Sequence, residues 1–326
     1  MNGGEHTFGE QLEPHRRELQ AHCYRMLGSV QDAEDAVQEA LLKAWRGLEG
    51  FEGRSSLRSW LYAIATNVCL RMIERRPARV LPIDYGPASD PHAPVGPALA
   101  ESGWIEPYPD ALLGPDEGAA GPEARYEQRE AIELAFIAAL QRLPARQRAV
   151  LILREVLGFT GAEIAEQLEA TPASVYSLLQ RAHATLDERL PERSQQATLR
   201  SLGNERLGEI VNRYVEAWSR SDVDAIVQLL TEDATLAMPP AATWWRGRDA
   251  VVAGLARGPL DGTRSWRLVP TSASGQLAMG AYRLDASGVY VPYSVKVLTL
   301  RGHLIDQITS FRDPSAPQRF GLPARG

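Results

Sequence analysis

The 326-residue chain is poor in lysine and cysteine: Lys43 and Lys296 are its only lysines, Cys23 and Cys69 its only cysteines, and the remaining cations are arginines. Each cysteine falls at an apolar helical position, which points to buried thiols rather than a disulfide or a metal pair. No Cys/His cluster has zinc spacing, so neither a metal nor a cofactor is expected. No apolar run reaches membrane-spanning length. The start, MNGGEHTFGEQLEPHRREL, lacks the basic-then-apolar order of a signal peptide, so the expected location is cytoplasmic, with no membrane contact. A strong positive charge is missing too. The net charge is −6, and the acidity is concentrated in residues 81–125, with eight acidic residues against one arginine. A chain without a basic stripe grips DNA weakly alone, so any DNA reading would lean on a larger partner. What remains is ample for real cores, 44% hydrophobic residues over a length that suits two or three domains.

The most informative segment is TGAEIAEQLEATPASVYSLLQRAHA, from Thr160 to Ala184. Thr160 and Glu163 have capping-box spacing, and Thr171 followed by Pro172 marks a second helix start. From there Val175, Leu178, Leu179 and Ala182 share one face, leaving Ala173, Ser174, Tyr176, Ser177, Gln180 and Arg181 outward. Two short helices with a tight turn and a polar outer face describe a helix-turn-helix, whose second helix enters the DNA major groove. An ordinary helical hairpin would show the same caps.

Residues 8 to about 78 read as a compact helical unit. Ser29 and Asp32 cap a helix with the apolar stripe Ala33, Ala36, Val37, Ala40, Leu41, Ala44 and Leu48; Asp32, Glu34, Asp35, Gln38, Glu39 and Lys43 lie opposite. After a loop at Phe51–Ser56, a second helix buries Leu57, Trp60, Leu61, Ile64, Ala65, Val68, Cys69 and Met72. Residues 79–124 are rich in Pro, Gly and acids and read as a flexible tether, interrupted by one apolar island, Trp104 to Asp110, expected to dock somewhere. From Asn204 two amphipathic helices, a short strand at Ala234–Met238, a helix near Ala250–Ala256 and four further strand runs describe an α+β cone with a curved antiparallel sheet. Such cones enclose pockets, and Trp218, Met238, Trp244, Tyr282, Lys296 and Phe311 are the candidate lining; apolar residues at these spacings also serve as plain core.

With these pieces in order, the chain resembles a bacterial extracytoplasmic-function sigma factor of the type with a SnoaL-like (nuclear-transport-factor-2-like) domain fused at its C-terminus. Asp32-Ala33-Glu34-Asp35-Ala36-Val37-Gln38-Glu39 with Lys43-Ala44-Trp45 is similar to the sigma helix that docks on core RNA polymerase. Phe51 with Ser56-Leu57-Arg58-Ser59-Trp60-Leu61-Tyr62-Ala63-Ile64-Ala65-Thr66-Asn67 is similar to the element that captures the melted −10 promoter strand. Leu143-Pro144-Ala145-Arg146-Gln147-Arg148 is similar to the opening of the region that reads the −35 element. The resemblance implies a multidomain fold: two all-α sigma domains, region 2 (8–78) and region 4 with its helix-turn-helix (125–192), joined by an acidic Pro/Gly-rich linker (79–124), then a SnoaL-like regulatory domain (204–314) and a C-terminal tail (315–326).

It also implies partners and sites. Core polymerase would meet Asp32, Asp35, Gln38, Glu39 and Lys43. The −10 strand would meet Phe51, Arg54, Ser56, Arg58, Tyr62, Asn67 and Arg71, and the −35 duplex Ala173, Ser174, Tyr176, Ser177, Gln180 and Arg181. Where relatives commonly carry Lys, Arg and Arg along the recognition helix, this chain has Tyr176, Leu178 and His183, so an unusual promoter sequence is expected. The C-terminal domain is expected to contact the sigma core, with a small-molecule ligand left open. Catalysis is not expected: of the candidate groups Asp233, Lys296, His303 and Asp306, His303 lies in a predicted turn and Asp233 at a strand entrance, where capping and solvation explain them. The alternative is a helix-turn-helix regulator fused to a SnoaL-like enzyme or small-ligand sensor; such a regulator has no use for the polymerase-docking helix.

Overall fold

The structure, a computed structural model, describes residues 3–53, 55–99, 103–114 and 122–325. They divide into two compact units, one built from Met1–Arg79 and Leu112–Pro191, the other from Val80–Ala111 and Glu192–Gly326.

The first unit is helical. Helices α1 (Gly3–Leu27), α2 (Val30–Gly47) and α3 (Leu57–Glu74) pack on one another. Ser29 ends the turn before α2 by accepting the Asp32 backbone N–H at 3.1 Å, and Ser56 does the same for Ser59 at 3.0 Å before α3. The α2 stripe of Ala33, Ala36, Val37, Ala40 and Ala44 is buried as its spacing predicts. Inside, His22 Nε2 meets Thr66 Oγ1 at 2.9 Å, and its ring stands edge-on to Tyr62. Burial, together with Arg25 and Arg58, pulls the His22 imidazole down to about 3, so it is neutral here. Cys23 and Cys69 are buried free thiols, as their positions predict.

The short helix α4 (Pro82–Tyr85) belongs to the other unit. The chain returns to the first unit with α5 (Pro122–Glu130), α6 (Leu134–Arg142), α7 (Ala145–Leu151, continued by a π-helical turn at Ile152–Val156), α8 (Gly161–Gln167) and α9 (Pro172–Asp187). This second helical domain packs directly on the first, α6 and α7 against α1, and α7 and α8 against α3. Arg148 is the hub of that contact. Only 3% exposed, it donates to the Met26 carbonyl of α1, to Gln141 Oε1 at 2.6 Å, and to the Gln141 and Leu143 carbonyls at 3.0 and 3.1 Å. Arg25 and Gln141 add bonds across the same seam, to the carbonyls of Ala131 and Arg25.

The second unit is the α+β domain. Helix α10 (Gln195–Ser219) starts earlier than the pattern at Asn204 predicts and kinks at Gly203, whose φ of 72° only glycine adopts readily. Then come α11 (Val223–Val227), β1 (Leu230–Ala237), β2 (Trp244–Arg246), α12 (Arg248–Arg257), β3 (Trp266–Ala273), β4 (Gln276–Leu284), β5 (Tyr290–Arg301) and β6 (Leu304–Phe311). They form one six-stranded sheet in the order β2-β1-β6-β5-β4-β3. The sheet is not wholly antiparallel: β1 and β6 pair in parallel, Leu236 opposite Ile308. A long crossover through the rest of the domain permits that pairing. Helix α13 (Ala316–Arg319) follows and packs on β5.

Residues 80–111 depart from the expected free tether. They lie along the α+β domain: Ser89 N–H donates to the Trp244 carbonyl at 2.8 Å, Gly96 N–H to Thr243 Oγ1 at 2.9 Å and Leu99 N–H to the Pro240 carbonyl at 2.9 Å. The apolar island docks here, with Ile105 and Tyr108 fully buried, Tyr108 N–H on Ser274 Oγ at 3.0 Å and Gly275 N–H on the Asp110 carboxylate at 2.9 Å. Composition argued for looseness. The regular placement of a few polar groups opposite open backbone donors overrides it.

Candidate nucleic-acid interface

On α2, Asp35, Gln38 and Glu39 are exposed and Lys43 half-exposed, all on the face opposite the buried stripe. Glu39 binds Lys43 at 2.5 Å and lies 3.6 Å from Arg71 of α3. The Lys43 hydrogen bond, against a smaller opposing effect of burial, holds the Glu39 carboxyl below the usual carboxylate range. Asp32 does not belong to this face. It is buried and bound by both Arg76 and Arg79, the latter at 2.6 Å. Burial pushes its carboxyl up, but hydrogen bonds from the two guanidinium groups outweigh that and leave it lowered. Asp32 therefore pins the chain after α3 and is withdrawn from any partner. One residue of the face was not singled out by sequence: Leu42 is 57% exposed, while Trp45, part of the motif similar to the sigma docking helix, is 44% exposed. With Asp35, Gln38 and Glu39, Leu42 follows i, i+3, i+4, i+7 spacing, the signal that could have found it. Leu42 and Trp45 thus leave large apolar groups in water beside the charges of Asp35, Glu39 and Lys43.

On α3 and its loop, Phe51 stacks on Trp60 at 4.8 Å between ring centroids. Ser56 spends its hydroxyl on the helix cap. Asn67 and Arg71 are exposed, Arg71 Nε donating to the Asn67 carbonyl at 3.2 Å. Arg54 lies outside the described residues. Tyr62 is not available to a nucleic acid: it is 1% exposed, its hydroxyl 3.3 Å from Glu18 and its ring edge-on to Phe159 of the second helical domain. Burial raises the Tyr62 phenol above its usual range. Arg58 is half-covered, its guanidinium 4.9 Å from the centroids of both Tyr62 and Phe159 and 3.6 Å from Glu18. Gln167 of α8 completes this cover by donating to Ser59 Oγ at 3.0 Å.

The helix pair α8–α9 has the expected form. Thr160 and Glu163 make the reciprocal capping box, and the Thr171 hydroxyl accepts Ser174 N–H at 3.2 Å ahead of Pro172. Val175 and Ala182 are buried, while Leu178 and Leu179 are only half-buried. Ala173, Ser174, Tyr176, Ser177, Gln180 and Arg181 are all exposed, Tyr176 by 59%. A row of short polar groups with one aromatic and one arginine suits base edges and phosphates.

In the α+β domain, the six candidate pocket residues are packed as core. Trp218 and Met238 sit in the main apolar cluster, and Phe311 is buried. Trp244 Nε1 donates to the Gly86 carbonyl at 2.9 Å and the Tyr282 hydroxyl to the Pro323 carbonyl at 2.7 Å, so the chain's own segments occupy both. Lys296 lies 4.0 Å from the Trp218 ring centroid and donates to Ser310 Oγ at 3.2 Å. Burial, aided by Arg312, pulls its amine down to about 7. Asp233 is exposed and bound to Arg301, which also binds Asp306 at 2.7 Å.

A helical domain with an exposed acidic and apolar face, a second with a helix-turn-helix, and an appended α+β domain define a promoter-recognition protein. Family models agree, matching Sigma-70 region 2 at residues 12–78, Sigma-70 region 4 at 133–186 and a SnoaL-like domain at 211–310. The chain belongs to the extracytoplasmic-function (ECF) RNA polymerase sigma factors. It is 40% identical over 318 residues to the ECF RNA polymerase sigma factor SigG of Mycobacterium tuberculosis, covering 97% of this chain and 84% of that one. To SigM of the same species it is 28% identical, over 56% of this chain and 77% of the relative. The crystal structure of M. tuberculosis SigJ shares the fold over 97% of this chain and 99% of its own, with a TM-score of 0.56 at 23% identity. The alternative of a helix-turn-helix regulator fused to a SnoaL-like enzyme or small-ligand sensor is not favoured by these relatives.

Proposed function

We propose that this sigma factor docks on core RNA polymerase through Asp35, Gln38, Glu39, Leu42, Lys43 and Trp45. Phe51, Arg58, Asn67 and Arg71 receive the melted −10 strand, with Ser56 fixing the start of α3 beside them, and the outer face of α9 reads the −35 element. Holding a base out of the stack needs a few kcal/mol, about what an aromatic surface and edge hydrogen bonds return. The weak basicity of the chain fits this division, because polymerase supplies most of the grip.

The observation that carries the reading is the cover of α3 by Phe159 and Gln167. Elements named for positions 10 and 35 base pairs upstream are separated by about 85 Å at roughly 3.4 Å per base pair. Two domains in direct contact cannot span that distance. The arrangement is a closed, resting form in which the −35 reader covers part of the −10 reader, and docking on polymerase opens it. The C-terminal domain acts as a regulator of this step, without a catalytic role of its own, and the protein works in the cytoplasm. Transcription with core polymerase on a genomic promoter library tests the reading: the full chain should select a distinct promoter set, and failure to form holoenzyme would remove it.

A further inference from the structure

The face of α2 assigned to polymerase and the face of α3 assigned to the −10 strand meet at one carboxylate. Glu39 Oε1 takes the Lys43 ammonium at 2.5 Å and lies 3.6 Å from the Arg71 guanidinium of α3, while its Oε2 meets no cation among the described residues. Arg75, at the end of α3, adds its field to the same carboxylate. The Glu39 and Arg71 side chains are 49% and 51% exposed, so both can be reached by a partner. Arg71 is held at two points, by Glu39 on α2 and through its Nε by the Asn67 carbonyl one turn back, at 3.2 Å. This restraint works against a single strand in two ways. A phosphate approaching Arg71 comes within a Debye length of the Glu39 charge, about 10 Å at roughly 0.1 M salt, and is repelled by it. Guanidinium donors that would grip the phosphate are meanwhile spent within the protein. Both obstacles lift when a cation from outside is set against Glu39, and an acidic face calls for a basic partner.

We propose that Glu39 is a positioning residue that couples the two partners: in the free chain it restrains Arg71, and when a basic group of docked polymerase takes the carboxylate, Arg71 is released to a phosphate of the −10 strand. The coupling rests on the −10 role given to Arg71 above. It makes docking and strand capture mutually reinforcing, since a coupling between two binding events acts equally in both directions. Exposed ion pairs shift an equilibrium by up to about fivefold, which sets the size of the effect.

Titration of labelled oligo(dT) with photocrosslinking to the full chain, first alone and then in holoenzyme at saturating core polymerase, reads only the strand attached to this protein. Oligo(dT) suffices because a phosphate contact is independent of sequence. In the free chain Glu39→Gln should bind the strand about two- to fivefold more tightly than wild type, with unchanged circular dichroism. Glu34→Gln removes the same charge from another exposed position of α2 and should change the affinity clearly less. In an Arg71→Ala background, itself weaker than wild type, Glu39→Gln should bring no gain. In holoenzyme the gain should disappear, because docking has already taken the carboxylate. A gain that persists without Arg71, that Glu34→Gln matches, or that survives at full size in holoenzyme would overturn the coupling. No gain from Glu39→Gln, with Arg71→Ala still weaker than wild type, would overturn it while leaving Arg71 as a strand contact. Arg71→Ala binding as tightly as wild type would instead remove Arg71 from the −10 site, and the coupling with it.

Discussion

The closed arrangement makes a quantitative demand on Phe159. Its ring meets Tyr62 edge-on at 5.5 Å and lies 4.9 Å from the Arg58 guanidinium, and both partners are on α3. Such an aromatic pair contributes about 0.5–1.5 kcal/mol beyond burial. A cation–π contact at a half-covered site adds about 1 kcal/mol. Phe159→Ala should therefore weaken the docking of region 4 on α3 by about 1.5–2.5 kcal/mol, shifting the open-to-closed ratio roughly 10- to 60-fold at about 1.4 kcal/mol per factor of ten. Hydrogen–deuterium exchange of residues 57–74 should rise accordingly, and output from a cognate promoter with core polymerase should rise where opening limits initiation. Gln167→Ala separates docking from any loss of packing within region 4, since it removes only the 3.0 Å bond to Ser59. Leaving that buried hydroxyl unmatched costs about 1–2 kcal/mol, so the same changes should follow on a smaller scale. If α3 exchanges no faster in either variant while both keep their helicity, region 4 does not cover α3 in solution and the closed form is wrong.

Reversing Asp35 and Glu39 to Arg should abolish holoenzyme formation with normal circular dichroism, because both carboxylates face water; native-gel assembly with core polymerase checks this. Arg181→Ala should lower use of −35-dependent promoters with helicity intact, whereas Leu179→Asp should destabilise α9 by placing an unpaired charge on its half-buried side; equal helix loss in the two would contradict a contact role for Arg181. Acid should weaken the first unit in two windows. Unfolded His22 takes up a proton below its ordinary 6.5 while the folded imidazole waits until about 3, so stability falls with pH from 6.5 downward, by roughly 2 kcal/mol at pH 5 at about 1.4 kcal/mol per unit. The Asp32 carboxyl is lowered, so its contribution, full above the ordinary carboxylate value, is lost only as pH drops below about 4. Denaturant titrations of wild type and His22→Asn at pH 7 and pH 5 should differ in slope with pH, and parallel behaviour would refute the first window. Truncation after Ser315 removes Leu322, which packs on Gly280, and Pro323, which accepts from Tyr282; exchange across β4 should rise and promoter output change, and neither moving would dismiss the tail as a regulator.

Local rules were enough for much of this molecule. The helix-turn-helix, its capping box and the outward row from Ala173 to Arg181 follow from Thr, Pro and apolar spacing, since caps and helical periodicity act within a few residues. The α2 stripe and the order of helices before sheet in the last domain were legible for the same reason. Long-range pairing was not. Asp32 reads as one more acid on a polar face until Arg76 and Arg79, more than forty residues on, arrive beside it. Tyr62 reads as one more residue open to the −10 strand until Phe159 and Glu18 enclose it. The parallel pairing of β1 with β6, the docking of residues 80–111 along the α+β domain, and the burial of Lys296 under Trp218 all join positions distant in sequence. Composition and periodicity carry information about a residue's own turn or strand. Which distant group neutralises a charge or covers a ring is decided only when the whole chain has packed.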